Sequence, residues 1–218
     1  SGKFHVERQI DKVSRKRKRV AWAITGVVLA SLGYVGWRLT ARSGYESAEY
    51  TVVESDGDCE IREYPDLMLA STSMQSETQG GDGSFMRLFG FISGRNEKDQ
   101  KIAMTVPVFM DRDSDKSKGS MGFVLPKAVA QEGIPSPGDE AVEISKRTGG
   151  RFAVIRFSGR LNESTTSKQE SMLRKWMIER GLSGSKAVES AGYDPPWTPG
   201  PLRRNEILIR LDDDEKPA

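Results

Sequence analysis

An uncharged apolar run near the N-terminus constrains the structure of this chain most strongly. Val20 to Trp37 reads VAWAITGVVLASLGYVGW and contains no charged side chain. At about 1.5 Å per residue, a helix of this length spans roughly 27 Å, close to the hydrocarbon thickness of a bilayer. We therefore predict a transmembrane helix over 20–39. The run is longer than the roughly 7–15 apolar residues of a cleaved signal peptide, which favours an uncleaved signal anchor.

The distribution of basic residues predicts the orientation of this helix. Eight Lys and Arg side chains precede the run, whereas only Arg38 and Arg42 follow it closely. The positive-inside rule therefore predicts a basic cytoplasmic tail over 1–19 and a folded domain on the opposite side, in a periplasm or an organelle lumen. Residues 40–47 are predicted to form a polar linker, and the acidic segment 212–218 is predicted to be a disordered tail.

Two reactive residue types occur only once, and this excludes several kinds of site. The one cysteine is Cys59, so an intrachain disulfide cannot form. The one histidine, His5, lies in the basic tail. The domain therefore cannot contain a Ser-His-Asp triad or a multi-histidine metal site, and it lacks the commonest axial ligand of haem. Because no nucleophile–base pair is visible, we predict that the protein is not an enzyme. The net charge of +2 gives no indication of nucleic-acid binding.

Alternation of apolar and polar residues predicts a domain rich in β-strands over 48–211. The two strands that flank Gly149 and Gly150 are expected to pair as a hairpin. Pro107 interrupts another strand, which favours an edge strand or a bulge at that point. The predicted strands are 50–54, 59–64, 67–74, 101–111, 121–125, 142–146, 152–157, 186–191 and 205–211.

Two further segments have the residue spacing of helices. The first carries apolar residues at positions i, i+3, i+4 and i+7, between a predicted N-cap at Ser84 and a stop at Gly94. The second begins between Asn162 and Ser164 and ends at Gly181. Together with the strands, the helices predict an α+β domain with an antiparallel sheet or barrel.

Four segments of the domain carry motifs of a known family, in the order in which that family has them. They are Cys59–Pro65, similar to an early YEVRxY strand; Phe85–Asn96, similar to a helix ending in YxxGxN; Lys101–Val108, similar to KIxMTxPV; and Gly192–Trp197 with Arg203–Glu206, similar to GYDPP and RRNE. Together they resemble the SOUL/haem-binding protein family. The resemblance implies a distorted antiparallel β-barrel of about eight or nine strands flanked by two helices, built from two related halves. It also implies binding of haem or other tetrapyrroles in an apolar surface groove.

The resemblance directs the search for a ligand site to the first helix. In some relatives, basic side chains near this helix hold the propionates of the ligand. This chain has Asp82 and Gly90 where such groups are expected, which leaves Arg87 as the nearest candidate. An alternative use of the apolar face is ordinary packing against the sheet. The predicted ligand-binding residues are Phe85, Arg87, Leu88, Phe89, Ile92 and Met104.

These observations leave two functions open. The first is a membrane-anchored SOUL-family protein that binds haem or a related tetrapyrrole non-covalently, without a histidine ligand, for buffering or transfer. The second is a non-catalytic interaction module, or an accessory subunit of a membrane complex, that has lost ligand binding. The expected partners are the lipid bilayer, through residues 20–39, and a tetrapyrrole or a membrane-complex protein.

Overall fold

The computed structural model of the chain describes residues 44–74, 82–112, 119–195 and 198–212. Within these ranges no helix is both long enough and apolar enough to cross a membrane. The predicted transmembrane run, the basic tail and nearly all of the acidic tail lie outside the described residues. The fold described below belongs to the compact unit that begins at Arg42.

The described residues form an α+β domain, as the sequence predicts. The strands are β1 (Glu46–Ser47), β2 (Thr51–Asp56), β3 (Cys59–Tyr64), β4 (Leu67–Ser73), β5 (Thr105–Val106), β6 (Val108–Arg112), β7 (Ser120–Val124), β8 (Glu143–Arg147), β9 (Gly150–Ser158), β10 (Val188–Gly192) and β11 (Arg204–Arg210). The α-helices are α1 (Ser84–Ile92), α2 (Lys127–Glu132) and α3 (Glu163–Glu179), and a 3₁₀ turn covers Gly200–Leu202.

Nine of the strands form one curled antiparallel sheet, a half-barrel with the order β2-β3-β9-β11-β10-β6-β7-β4-β8. The prediction of a distorted antiparallel barrel is confirmed in part: within the described residues the barrel is open, because β2 and β8 each pair on one side only. The two remaining strands, β1 and β5, form a short parallel pair in which Glu46 lies opposite Thr105. This pair places the last residues of the predicted linker in contact with the domain.

The strand order is symmetrical about the β6–β10 pair. Strands β7, β4 and β8 follow β6 on one side, and strands β11, β9 and β3 follow β10 on the other. Each half thus contributes the unit strand–helix–strand–strand, as β4-α1-β6-β7 and as β9-α3-β10-β11. The strand before each unit crosses to the other half, since β3 pairs with β9 and β8 pairs with β4. This arrangement agrees with the two related halves that the family resemblance implies.

The predicted hairpin around Gly149 and Gly150 is wrong, because β8 pairs with β4 instead of β9. The glycine pair serves a different purpose. A Cβ atom at Gly149 would clash with the carbonyl oxygen of Tyr64, and its backbone N–H donates to Asp66 at 2.8 Å. Gly150 has a φ of 136°. The local pattern resembled a turn, but the glycines allow the chain to pass close to the β3–β4 connection.

Three smaller predictions also need correction. Pro107 does not mark an edge strand, because it lies between β5 and β6, and β6 is paired on both sides. Its missing N–H therefore removes no hydrogen bond from the sheet. Ser84 is the first helical residue and is buried, while Gly83 occupies the cap position with a φ of 81° and no side-chain cap bond. No helix was predicted in the connection after β7, which contains the short helix α2.

The two helices of the repeats pack on one face of the sheet. Helix α1 contributes to a cluster with strands β4, β6 and β7, and α3 contributes to a second cluster with β9 and β11. Alternate residues of the same strands point to the opposite face. In β9, Ala153 and Ile155 lie under α3, whereas Phe152 and Val154 join an aromatic-rich cluster that also contains Tyr64. This alternation is what a sheet buried on both faces requires.

Candidate functional site

Helix α1 is apolar on two sides, and only one of them is used by the core. Leu88 and Ile92 are 0% and 5% exposed, and they pack on the sheet together with Phe91. Phe85 lies at the edge of this core, where its ring contacts the buried Phe123 at a centroid distance of 5.2 Å. Its ring also stacks on Phe89 at a centroid distance of 6.2 Å. The Phe89 side chain remains 43% exposed. The helix therefore has both a core face and a free apolar face.

The free face of α1 forms one wall of a surface groove with a volume of about 320 Å³. This volume lies at the lower end of the roughly 300–1,000 Å³ range of small-molecule sites. The lining is almost entirely apolar. Its members are Tyr45, Phe85, Met86, Phe89, Met104, Val106, Val108, Gly192, Tyr193, Asp194 and Pro195. Exposed apolar side chains gathered at one concave site are typical of a binding surface.

The loop after α1 positions Met104 in this groove. Asn96 organises the loop, because its side-chain amide donates to the carbonyls of Phe91 and Gln100 and its oxygen accepts from two backbone N–H groups. Gly94 has a φ of 112°, which favours glycine there. The N–H of Ile102 then donates to the carbonyl of Ile92 at 2.8 Å. The glycine and asparagine of the helix-end motif thus direct the following segment along the groove.

The opposite wall is formed by Gly192–Pro195 at the end of β10. The Asp194 carboxylate accepts the backbone N–H of Arg204 at 2.6 Å, and the Tyr193 ring lies 4.0 Å beneath the Arg204 guanidinium. Tyr193 is only 3% exposed, and its hydroxyl donates to Glu206 at 2.9 Å. These contacts hold the wall against the sheet.

A buried charge network lies behind this wall and is centred on Glu206. This carboxylate is 0% exposed and accepts two hydrogen bonds from Arg62, at 2.7 and 3.0 Å, and two from Arg204, at 3.0 and 2.6 Å. Burial raises the pKa of Glu206, but the hydrogen bonds and positive charges of the arginines outweigh burial and hold the pKa below its usual value of 4.5. Burial also raises the pKa of Tyr64 to about 12, so this neighbour of Arg62 stays neutral.

Three of the six predicted ligand residues come together in the groove: Phe85, Phe89 and Met104. Leu88 and Ile92 do not, because they are sealed in the core. Arg87 is turned towards β4, where its Nε donates to Thr72 at 3.2 Å and its Nη2 donates to the carbonyl of Ser73 at 2.9 Å. It therefore braces the helix against β4 and does not line the groove.

Sequence reasoning missed more than half of the lining. Met86 is 60% exposed on the free face of α1. It follows Phe85 directly and is not one of the four residues at i, i+3, i+4 and i+7. Tyr45 lies in the predicted linker, and Val106 and Val108 flank Pro107. The segment from Tyr193 to Pro195 was recognised as a family motif but interpreted as structural. The signal that could have found it is its position at the end of a strand, beside residues of another motif.

The groove suits the ring of a tetrapyrrole better than its acid groups. Among the lining residues that the structure describes, Asp194 alone carries a formal charge, and none is Lys or Arg. Met86 and Met104 bring thioether sulfurs into the lining, whereas Met121 and Cys59 are buried in the helix-covered cores. A flat apolar macrocycle therefore finds aromatic and aliphatic contacts here, without a described cation for its carboxylates.

The domain is an antiparallel half-barrel built from two strand–helix–strand–strand units, and an apolar groove lies beside its first long helix. These features place the protein in the α+β class, with a candidate ligand groove. The family model described as "SOUL heme-binding protein" matches residues 45–210. The chain belongs to this family. "Heme-binding protein 1" of Sus scrofa is 27% identical over 128 residues, which cover 56% of this chain and 67% of that protein. "Heme-binding protein 2" of Homo sapiens is 27% identical over 169 residues, which cover 74% and 78%.

Solved structures support the fold. The C-terminal domain of EcmrR superimposes with a TM-score of 0.52 at 10% identity and covers 75% of this chain and 98% of that chain. A hydrolase from Listeria innocua gives a TM-score of 0.51 at 9% identity, with coverages of 73% and 94%. At these identities the likeness concerns the arrangement of strands and helices alone. The matching family and the curated relatives are named for binding and indicate no enzymatic family.

Proposed function

We propose that this protein binds haem or a related tetrapyrrole in the groove beside α1, for buffering or transfer of the ligand, and that residues 20–39 anchor it to a membrane. The observation that carries this proposal is the free apolar face of α1. Met86 and Phe89 are 60% and 43% exposed beside this cavity, and packing of the helix on the core does not account for their position.

The proposed placement follows from the sequence outside the described residues. The uncharged run and the basic tail before it favour a single-pass topology with a cytoplasmic N-terminus and the groove-bearing domain on the opposite side. There the domain would hold a poorly soluble pigment close to a bilayer. When bound, a metal-containing tetrapyrrole would supply its own redox or ligand chemistry, while Phe89 and Met104 would contact and orient the ring.

Haemin titration of the purified full chain tests the proposal. Phe89→Asp is the decisive variant. A phenyl side chain buries about 200 Å² when enclosed, so covering the exposed 43% of Phe89 is worth about 2 kcal/mol, or roughly 30-fold in affinity. Met172→Asp is the matched control, since Met172 is 50% exposed on α3 and does not line the groove.

The expected result is a saturable Soret shift that Phe89→Asp weakens by roughly 10- to 100-fold and that Met172→Asp leaves unchanged. A well-folded wild-type protein that gives no saturable shift would favour the second function, an interaction module or accessory subunit that has lost its ligand. The same apolar groove would then accept side chains of a protein partner, and co-purification in a mild detergent would reveal that partner.

A further inference from the structure

The distribution of charge around the groove carries a further inference, which rests on the proposed function. We propose that the groove recognises the apolar ring of the tetrapyrrole and leaves the side-chain carboxylates in solvent, so that it favours tetrapyrroles with few or esterified acid groups.

The two arginines on and just after α1 do not line the described part of the groove. Arg87 would be the natural partner by sequence, but both of its described hydrogen bonds go to β4. Arg95 lies against Gly90, where a Cβ atom would approach its Cδ at 3.1 Å, and it does not belong to the lining. A carboxylate placed in the groove would therefore lose water without gaining an ion pair, which disfavours its burial.

The one formal charge in the described lining has the wrong sign for an acid. Asp194 is 7% exposed and accepts the backbone N–H of Arg204. It also interacts electrostatically with Arg203, which does not line the groove. A ligand carboxylate near Asp194 would be repelled by it, and the repulsion is screened less at a partly buried site than in open water. An ester or an alkyl group in the same position avoids both the repulsion and the loss of hydration.

The size of the groove supports the same orientation. The groove is open to solvent, and its volume of about 320 Å³ lies at the lower end of the range for small-molecule sites, so we expect part of the ring to remain outside. The acid groups of common tetrapyrroles are on one edge or on the periphery, and placing that edge outwards keeps them hydrated. The apolar edge then contacts Phe85, Phe89 and Met104, where the lining is aromatic or aliphatic.

Metal-free porphyrins test this inference without any contribution from iron. Protoporphyrin, its dimethyl ester and coproporphyrin differ in the number of free carboxylates. Each porphyrin is titrated into the full chain in an uncharged detergent, at low and at high salt, and binding is followed by fluorescence. The same titration of the Phe89→Asp variant measures the signal that comes from porphyrin in the micelles instead of in the groove. We expect the dimethyl ester to bind at least as tightly as free protoporphyrin. Coproporphyrin should bind at least about tenfold more weakly than protoporphyrin. High salt should not weaken the binding of protoporphyrin.

A variant that adds the missing cation sharpens the test. Met86 lies at the mouth of the groove and is 60% exposed, so Met86→Arg should fold normally. The variant should increase the affinity for protoporphyrin relative to the ester by about two- to fivefold. High salt should abolish this gain. Met172→Arg, on α3, should change neither ratio.

The outcomes separate the inference from the proposed function. Saturable binding in which the free acid exceeds its ester, and in which salt weakens the free acid alone, would overturn the inference while the tetrapyrrole function stands. Absence of binding for all three porphyrins would overturn both.

Discussion

Glu206→Gln is expected to lower the stability of the domain strongly. The substitution keeps the shape of the side chain but removes the charge that accepts hydrogen bonds from Arg62, Arg204 and Tyr193. Arg62 is 1% exposed and cannot turn towards water. Breaking a buried ion pair by removing one partner costs about 3–5 kcal/mol, and the remaining amide oxygen favours the lower end of this range. We therefore expect a loss of about 3 kcal/mol in the free energy of unfolding.

Urea unfolding followed by circular dichroism measures this loss, and a thermal scan should show a decrease in Tm of roughly 6–12 °C for a domain of this size. Glu54→Gln is the control. Glu54 pairs with Arg180 at the surface, where both side chains remain in contact with water. That variant should unfold at nearly the wild-type midpoint. If Glu206→Gln behaved like the control, the buried network would not be the brace between β3 and β11 that the structure indicates.

Three further predictions concern pH, the core and the loop. Because the pKa of Glu206 is lowered in the folded state, its contribution to stability is present above pH 4.5 and is lost as the pH falls through the folded pKa. In unfolding experiments at decreasing pH, Glu206→Gln should therefore lose less stability with acid than the wild type does. Leu88→Ala removes a side chain that is 0% exposed and should cost about 2–5 kcal/mol of stability. Phe89→Ala should cost far less stability, because Phe89 is 43% exposed, and should weaken haemin binding instead. Unfolding and haemin titration of both variants measure the two effects. Gly94→Ala forces a non-glycine residue to a φ of 112° and should lower stability by about 1–3 kcal/mol, measured by its urea midpoint.

Much of the fold could be predicted from local patterns. Cys59–Tyr64 was predicted with the correct bounds, because a strand with alternating polarity between turn residues has a strong signal. The second predicted helix was expected to begin between Asn162 and Ser164. It begins at Glu163, and the side chain of the N-cap Asn162 accepts the backbone N–H of Thr165. These features depend on residues close together in sequence.

Strand pairing could not be read from the sequence in the same way. The segments that became β8 and β9 are adjacent in the chain and flank two glycines, yet each pairs with a strand from the other half of the domain. Local turn signals do not encode which distant strand offers a better partner. The same limit explains why the segment around Pro107 was expected to be an edge strand or to contain a bulge, since a proline indicates a break in a strand but not which strands lie on either side.

The site was predicted in part for a similar reason. Helical spacing identified Phe85 and Phe89 but grouped them with Leu88 and Ile92, because α1 is apolar around most of its circumference. Tertiary packing divides these residues between core and groove. Arg87 has the right charge and position in the sequence for a propionate partner, yet its hydrogen bonds with β4 direct it elsewhere.

Paramagnetic broadening of methionine methyl signals would locate the ligand most directly. The methionine methyl groups are labelled with ¹³C, and their signals are assigned with single Met→Leu variants. Spectra recorded with ferric haem are then compared with spectra recorded with a diamagnetic zinc porphyrin. The account predicts selective broadening of Met86 and Met104 by ferric haem, with Met172 and Met177 on α3 unaffected. Broadening of the α3 methionines with Met86 and Met104 unchanged would contradict the proposal that the groove beside α1 holds the macrocycle.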